Sequence, residues 1–211
     1  QVLRLISEHF LFKRNNMDRI KQLYKTELKY LKDAVKDGKS LYHTFTLSSL
    51  NNNFPESRTV VLRNVCKEKR TIEFNTDNRS PKYCDLLENK NISALFYDSE
   101  RKVQLRFNGE ANILKDDTER LIIWEQLTRE SKICYMGNFK PSTKLEIYQP
   151  NIPSKKITEI SNDEYLLGYQ NFARIQITIS SLDWLLLHSS GHKRIKYEWQ
   201  GDEQHETWIA T

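Results

Sequence analysis

The sequence has no apolar run that could cross a membrane. The longest runs are a few residues, such as Trp184–Leu187, against the roughly 18 that a membrane-spanning helix needs. Charges interrupt the short apolar clusters of the first sixteen residues, which excludes the continuous apolar core of a signal peptide. We therefore expect a cytoplasmic protein without a membrane partner.

Cysteine is also scarce. The chain has three, Cys66, Cys84 and Cys134, and their odd number and wide spacing fit neither a disulfide framework nor a CxxC motif. We expect reduced thiols, as in a cytoplasm. His188 and His192 are four residues apart, but the SSG between them predicts a turn and no third ligand stands out. We predict no metal site.

The composition is that of a folded protein with an anionic partner. Of the 211 residues, 38% are hydrophobic and 29% charged, and the formal net charge is +5. Such a charge suits either a phosphate-bearing cofactor or nucleic acid. Glu27, Asp33 and Asp37 interleave with the N-terminal lysines, which favours a solvated helix face over a nucleic-acid-binding surface.

No linker composition divides the chain, so we predict one domain over residues 18–211. The sequence leaves open what residues 1–17 are, and we set them apart as an N-terminal extension. Within residues 18–37 the apolar side chains recur at helical spacing, and Gly38 follows in a position that commonly ends a helix. This pattern predicts an amphipathic surface helix.

Strand signals dominate the chain after Gly38. The alternation is strictest over residues 172–181, with Ala173, Ile175, Ile177 and Ile179 on one face. Further helices are predicted after Ser80 and after Asp116 or Asp117, and residues 131–162 are predicted to form a long loop. Gly109 interrupts a predicted strand, which predicts a bulge or a close backbone approach there. We predict strands over residues 41–50, 58–66, 71–76, 92–97, 102–114, 172–181, 182–188 and 192–199, with a last short one in the tail. Antiparallel strands without a βαβ rhythm predict a mainly β fold, a β-barrel with flanking helices.

One strand-turn-strand-helix unit concentrates groups that bind phosphate. RTVVLR at 58–63 and FNTD at 74–77 precede RSPK at 79–82, where Ser80 is the predicted N-cap and Pro81 the first helical residue. Free amides and the positive end of the helix dipole favour an anion there. Arg58 could add a bidentate clamp from the neighbouring strand. A simple helix cap among solvated cations is the alternative explanation.

The order of the motifs along the chain makes the sequence resemble the pyridoxamine-phosphate oxidase family from about residue 20 to the end. The similarity is closer to the oxidase-related FMN-binding branch than to the vitamin-B6 enzyme. The motifs that carry it are RTVVLR at 58–63, FNTDNRSPK at 74–82, NISALFYD at 91–98, VQLRFNG at 103–109, and HKR at 192–194 ahead of Trp199. The resemblance implies a six-stranded antiparallel FMN-binding split barrel and a homodimer with two FMN molecules in grooves between the subunits.

The resemblance also implies a role for individual residues. Arg58 and Lys82 hold the FMN phosphate with Thr76 and Ser80, and Gln104 and Arg194 approach the flavin ring. A cation near the pyrimidine end of the ring stabilises the anion that forms on reduction. The full predicted cofactor set is Arg58, Thr59, Val60, Val61, Leu62, Arg63, Asn75, Thr76, Ser80, Lys82, Gln104 and Arg194, and the predicted substrate contacts are Ser131 and His192.

The sequence departs from the family at informative places. Pro81 stands where the family has an Arg just before the phosphate-binding Lys, and Leu185 where the oxidases have an aromatic residue over the FMN. Ile123 and Leu127 replace a Tyr and an Arg that grip the vitamin phosphate, so only Ser131 of that set remains. Losing those charge-assisted bonds argues against pyridoxamine-phosphate oxidation.

The predicted function is therefore an FMN-binding flavoprotein, an FMN-dependent oxidoreductase whose small-molecule substrate and electron donor the sequence does not name. Two alternatives from other classes stay open. One is a non-catalytic split-barrel protein that binds flavin or haem, and the other, ranked last, is a basic nucleic-acid-binding module.

Overall fold

A computed structural model describes residues 2–211, and it describes side chains from Asp18 onward. Within these residues the chain forms five α-helices and nine β-strands. The strands are β1 Thr44–Asn51, β2 Phe54–Val61, β3 Asn64–Cys66, β4 Thr71–Asp77, β5 Asn91–Asp98, β6 Val103–Ile113, β7 Phe172–Leu186, β8 Lys193–Gln200 and β9 Glu203–Ile209. The helices are α1 Val2–Ala34, α2 Pro81–Glu88, α3 Asp117–Glu125, α4 Arg129–Lys132 and α5 Asn162–Tyr169.

The strands form one antiparallel sheet in the order β2-β1-β5-β6-β7-β4-β3, and β8 and β9 continue it from the second half of β7. The segment after β2 turns towards β4, where the Arg63 amide donates to the Glu73 carbonyl oxygen at 2.8 Å. The mainly β, barrel-like fold with flanking helices is as predicted. The predicted strand count of six was wrong, because Leu62 and Arg63 break residues 58–66 into two strands and β8 and β9 extend the sheet.

The barrel interior is filled by alternate residues of the strands, as the period-2 pattern requires. Phe45, Phe96 and Phe107 are buried together, with the rings of Phe45 and Phe96 stacked at 4.7 Å between centroids. One face of α1 packs on this core through residues that include Tyr24 and Leu31. A second, smaller cluster contains Trp124, Ile160, Tyr165 and Phe172 and joins α3 and α5 to the start of β7.

The β1–β2 hairpin is tighter than predicted. Asn52 and Asn53 alone form its turn, with φ of 47° and 69°, and Phe54–Ser57 belong to β2 rather than to a loop. A two-residue turn with both residues at positive φ matches the twist of a hairpin, and Asn tolerates that conformation.

The predicted irregularity at Gly109 is present. The β6–β7 register shifts between Asn108 and Gly109, and a Cβ on Gly109 would lie 2.1 Å from the Thr178 carbonyl oxygen. No residue of β6 is paired with Ser180 in the strand register. The predicted break near residue 181 is therefore a bulge within one continuous strand.

The helices depart from prediction at their ends and in one region. The backbone of α1 begins well before residue 18 and ends at Ala34, ahead of Gly38. The predicted loop over residues 131–162 includes short helical turns, and α5 begins at its end, capped by Ser161 and Glu164. The status of residues 1–17 as an extension lies outside the part of the chain whose side chains are described. No helix of the described chain is long and apolar enough to span a membrane.

Candidate functional site

Three of the predicted phosphate-binding side chains meet where β4 ends and α2 begins. Lys82 Nζ donates to Thr76 Oγ1 at 3.0 Å and lies 3.5 Å from Ser80 Oγ. The Thr76 and Ser80 hydroxyls are 3.2 Å apart. The ammonium therefore rests on two hydroxyl groups, and among the described residues it has no carboxylate within ion-pair distance.

Arg58 reaches the same place from β2. Its Nη1 donates to Ser49 Oγ at 2.6 Å, and its Nη2 lies 3.7 Å from Asp85 Oδ2. Burial, and next the nearby Arg58 guanidinium, lower the pKa of the Lys82 ammonium, while Asp77 and Asp85 act in the opposite direction. Two cations thus share one half-buried position, and we call Arg58, Thr76, Ser80 and Lys82 the basic cluster.

Ser80 occupies the N-cap position of α2, as predicted, but its side chain does not cap the helix. The hydroxyl donates instead to the Asp77 carbonyl oxygen at 2.7 Å. Pro81 is the first helical residue. The Ser80 oxygen therefore still faces Thr76 and Lys82, where a ligand oxygen could join it.

A buried polar network lies beside the basic cluster on the outer face of β4. Arg174 Nε donates to Glu73 Oε2 and Arg174 Nη1 to Asn75 Oδ1, both at 2.8 Å. The alternation of β7 placed Arg174 on an outward face, yet it is buried, because Tyr135 from the segment after α4 packs against Phe172 over that face. The side-chain oxygen of Asn75, a predicted cofactor residue, therefore already accepts a hydrogen bond from Arg174.

Arg63 lies between β2 and β3 beside the same network. Its Nε is buried and has no hydrogen-bond partner among the described residues. A buried donor of this kind is costly unless something accepts from it. Arg63 Nε is therefore a donor that the described residues leave unsatisfied.

The other predicted residues of β2 divide by face. Val60 and Leu62 point into the core, and the Leu62 amide donates to the His43 carbonyl oxygen at 2.9 Å. Thr59 and Val61 alternate with them and face outward. Of these four residues, only Thr59 and Val61 present side chains that are not buried in the core.

Gln104 and Arg194 lie elsewhere on the sheet. Gln104 pairs with Leu185 across β6 and β7, and Leu185 pairs with Arg194 across β7 and β8, so the three residues form one row on one face. Arg194 donates to Asp183 Oδ1 at 2.9 Å and to Oδ2 at 2.5 Å. Asp183 also accepts from Arg106.

Sequence reasoning missed Ser49, Arg106, Asp183 and Arg174. Arg106 and Asp183 could have been found from the strand period, since they lie two residues from Gln104 and Leu185 and so share their face. Ser49 and Arg174 are recognised only from the folded contacts.

The basic cluster and the Gln104–Arg194 row occupy different parts of the sheet, and no hydrogen bond or ion pair of the described residues joins them. Thr76 pairs with Ala173 near the start of β7, whereas Arg194 pairs with Leu185 near its end. A cavity of about 720 Å³, lined by residues that include Ser49 and Asn108, contains none of the predicted cofactor residues.

The two predicted substrate residues lie apart from each other in the chain, and only His192, two residues before Arg194, is next to the Gln104–Arg194 row. The Thr128 hydroxyl donates to Ser131 Oγ at 3.2 Å in α4, and His192 Nδ1 accepts from the His188 amide at 3.1 Å in the β7–β8 turn. Ile123 and Leu127 pack against the Trp124 cluster, so their positions are part of an apolar core. In residues 18–211, whose side chains the structure describes, no group of His, Cys, Asp and Glu has a metal-binding arrangement.

Comparison with known proteins agrees with these motifs. Residues 23–115 match the family described as the pyridoxamine 5'-phosphate oxidase, FMN-binding domain. No curated protein matches the chain in sequence. The structure resembles a pyridoxamine 5'-phosphate oxidase-related, FMN-binding protein of Nostoc punctiforme, with a TM-score of 0.69 and 16% identity over 89% of this chain and 97% of that one.

It also resembles PhzG of Burkholderia lata, solved with tetrahydrophenazine-1-carboxylic acid, with a TM-score of 0.61 and 16% identity over 80% of this chain and 82% of that one. At this identity the two structures show a shared fold. The matched family model supplies the cofactor class, since its description is an FMN-binding domain. The resemblance predicted from the motifs is confirmed over residues 23–115, which match the pyridoxamine 5'-phosphate oxidase, FMN-binding domain.

Proposed function

We propose that this protein binds FMN and places its phosphate on the basic cluster. The observation that carries the proposal is the position of Lys82 beside Arg58, supported by two hydroxyls and without a carboxylate of its own among the described residues. Two adjacent cations are groups from which a phosphate dianion accepts charge-assisted hydrogen bonds. The match of residues 23–115 to an FMN-binding domain supports the same cofactor.

We propose further that the protein is an oxidoreductase. Bound FMN supplies hydride or single-electron chemistry, and the protein supplies binding, orientation and electrostatics. In this chain Arg194 is the cation of the Gln104 row, and it would stabilise negative charge at the flavin's pyrimidine edge. Ile123 and Leu127, packed in an apolar core, cannot grip a phosphate, so the proposed substrate is not the phosphorylated vitamin.

A homodimer completes the proposed site. The basic cluster lies near the start of β7 and the Gln104–Arg194 row near its end, so the two groups occupy different parts of one protomer. In a two-fold dimer the cluster of one protomer can face the row of its partner, and symmetry then gives two equal sites. The proposed compartment is the cytoplasm, in keeping with the free cysteines.

FMN titration followed by fluorescence quenching tests the cofactor. We expect saturable binding by the wild-type protein and a loss of roughly 10- to 100-fold in affinity for Arg58→Ala and for Lys82→Ala, because each removes a charge-assisted bond of about 1.5–3 kcal/mol. Lys115→Ala, at an exposed lysine outside the cluster, is the matched control and should bind like wild type. Binding that ignores both cluster substitutions would overturn the assignment.

Mixed dimers test the shared site. Lys82→Met and Arg194→Gln each damage both sites of their own homodimer. A mixed dimer has one site with both substitutions and one with neither. An equal mixture should therefore regain wild-type affinity in about a quarter of its sites. Complete subunit exchange without such a fraction would show that both groups act within one protomer.

A further inference from the structure

Arg106, Asp183 and Arg194 form a cluster that none of the predicted cofactor contacts explains. Asp183 is 7% exposed and accepts two hydrogen bonds from Arg194, at 2.9 Å and 2.5 Å, and one from Arg106. The cluster links three neighbouring strands, β6, β7 and β8. Its formal charge is that of one cation, because one carboxylate faces two guanidinium groups.

Strand register places this cluster beside the proposed flavin row. Arg106 pairs with Asp183, two residues along the strands from the Gln104–Leu185 pair. Residues two apart on a strand share a face, so Arg106 follows Gln104, and Asp183 precedes Leu185, on the same side of the sheet. Arg194 belongs to both groups, since it pairs with Leu185 and bonds to Asp183.

The cluster is more open than a structural ion pair. The side chains of Arg106 and Arg194 are 44% and 30% exposed, whereas in the buried pair of Arg174 and Glu73 both side chains are 7% exposed or less. Burial opposes ionisation of Asp183, but the hydrogen bonds from Arg194 and Arg106 outweigh it and hold the pKa of this carboxyl below its usual value. Asp183 is thus a fixed anion that orients two cations.

We propose that Asp183 is a positioning residue of the FMN site, which holds Arg194 against the flavin ring and brings Arg106 beside it as a second cation. The inference rests on the proposed function. Asp183 contacts no ligand in this arrangement and acts through the two arginines. Arg106 adds positive charge on the side where reduction places negative charge, so it strengthens binding of reduced FMN more than binding of oxidised FMN.

The test measures dissociation constants for oxidised and reduced FMN under anaerobic conditions in wild type, Asp183→Asn, Asp183→Glu and Arg106→Gln. We expect Asp183→Asn to weaken oxidised FMN at least about fivefold, because Arg194 loses its anchor, and Asp183→Glu to recover part of the loss. Arg106→Gln should lower the preference for the reduced form at least about threefold. Arg106 is exposed enough that its replacement should not unfold the barrel.

The proposal fails if Asp183→Asn is folded and binds both forms like wild type. It also fails if Asp183→Asn only increases the preference for reduced FMN, since that outcome reports a lost negative charge and no positioning. Adding Asp183→Asn to an Arg106→Gln/Arg194→Gln variant should change nothing further, and an added loss would show that Asp183 acts on its own. If wild type does not bind FMN, or Lys82→Met does not weaken it, the proposed function itself fails.

Discussion

Two groups of charged residues in this barrel differ in how completely their charges are paired within the chain. Glu27 of α1 is 3% exposed, and both of its oxygens are fully used. Arg101 donates to them at 3.0 Å and 2.9 Å, Trp184 Nε1 at 3.2 Å and the Tyr42 hydroxyl at 3.3 Å. This cluster is closed, since every acceptor has a donor of this chain.

The basic cluster is open by comparison. Lys82 has hydroxyl partners and the Arg58 cation as its neighbour, and the nearest carboxylate to Arg58, Asp85, lies at 3.7 Å. Removing one partner of a buried ion pair destabilises a fold because the other charge is left uncompensated, whereas two adjacent cations repel each other until an anion binds. We therefore expect Glu27 to stabilise the fold and Lys82 to bind a ligand, and substitutions at the two residues test this difference.

The largest effect is expected at the closed cluster. Glu27→Ala leaves two buried donors, Trp184 Nε1 and the Tyr42 hydroxyl, without their acceptor, and it leaves Arg101 paired with Asp98 alone. It should lower the free energy of unfolding by about 2–5 kcal/mol, because each unsatisfied buried donor costs about 1–3 kcal/mol. Urea denaturation of the apoprotein measures this. Glu119→Ala, at an exposed glutamate of α3, is the control and should cost less than about 0.5 kcal/mol. Equal effects at the two glutamates would refute the structural role of Glu27.

A smaller effect of the opposite kind is expected at Lys82. Lys82→Met should weaken FMN binding by roughly 10- to 100-fold while the apoprotein keeps, or slightly gains, stability, because the substitution removes a partly buried cation from beside Arg58. The same urea experiment, paired with FMN titration, gives both quantities. A loss of more than about 1 kcal/mol in unfolding free energy would mean that Lys82 is structural.

The smallest effect is a dependence of FMN affinity on pH. Phosphate binds the protonated ammonium, and burial together with Arg58 lowers the pKa of Lys82 in the free protein. Affinity should therefore fall as pH rises from neutral towards roughly 10, and the fall should begin at a lower pH than for a surface lysine. Lys82→Arg keeps its charge over this range and should bind with a flatter profile. Identical profiles for the two proteins would contradict the titration of Lys82.

Much of the fold could be predicted from local patterns. Alternation identified the strands because the barrel buries one side of each, and Ile175, Ile177 and Ile179 are buried as expected. The register shift at Gly109 followed from a glycine inside a strand. The helix α5 was missed, although Ser161 and Glu164 form a capping box, because its pattern of buried residues is weak.

The candidate site was predicted in parts. The motifs brought Arg58, Thr76, Ser80 and Lys82 together because they follow one strand-turn-helix unit, and the structure places them in contact range of one another. The burial of Arg174 depends on a segment about forty residues before it in the chain, and no local period reports that. The ion pair between Arg194 and Asp183 was not predicted, because Asp183 lies within the apolar run LDWLLL, a pattern that indicates a core strand and not a charged site.

The most direct test of the phosphate assignment compares FMN with riboflavin, which lacks only the phosphate, in wild type and Lys82→Met. If the basic cluster holds the phosphate, wild type should prefer FMN over riboflavin by roughly 100-fold or more, and the preference should fall at least tenfold in Lys82→Met, with riboflavin affinity unchanged. Equal affinities for the two flavins in wild type, or a preference that Lys82→Met leaves intact, would contradict a phosphate site at the basic cluster.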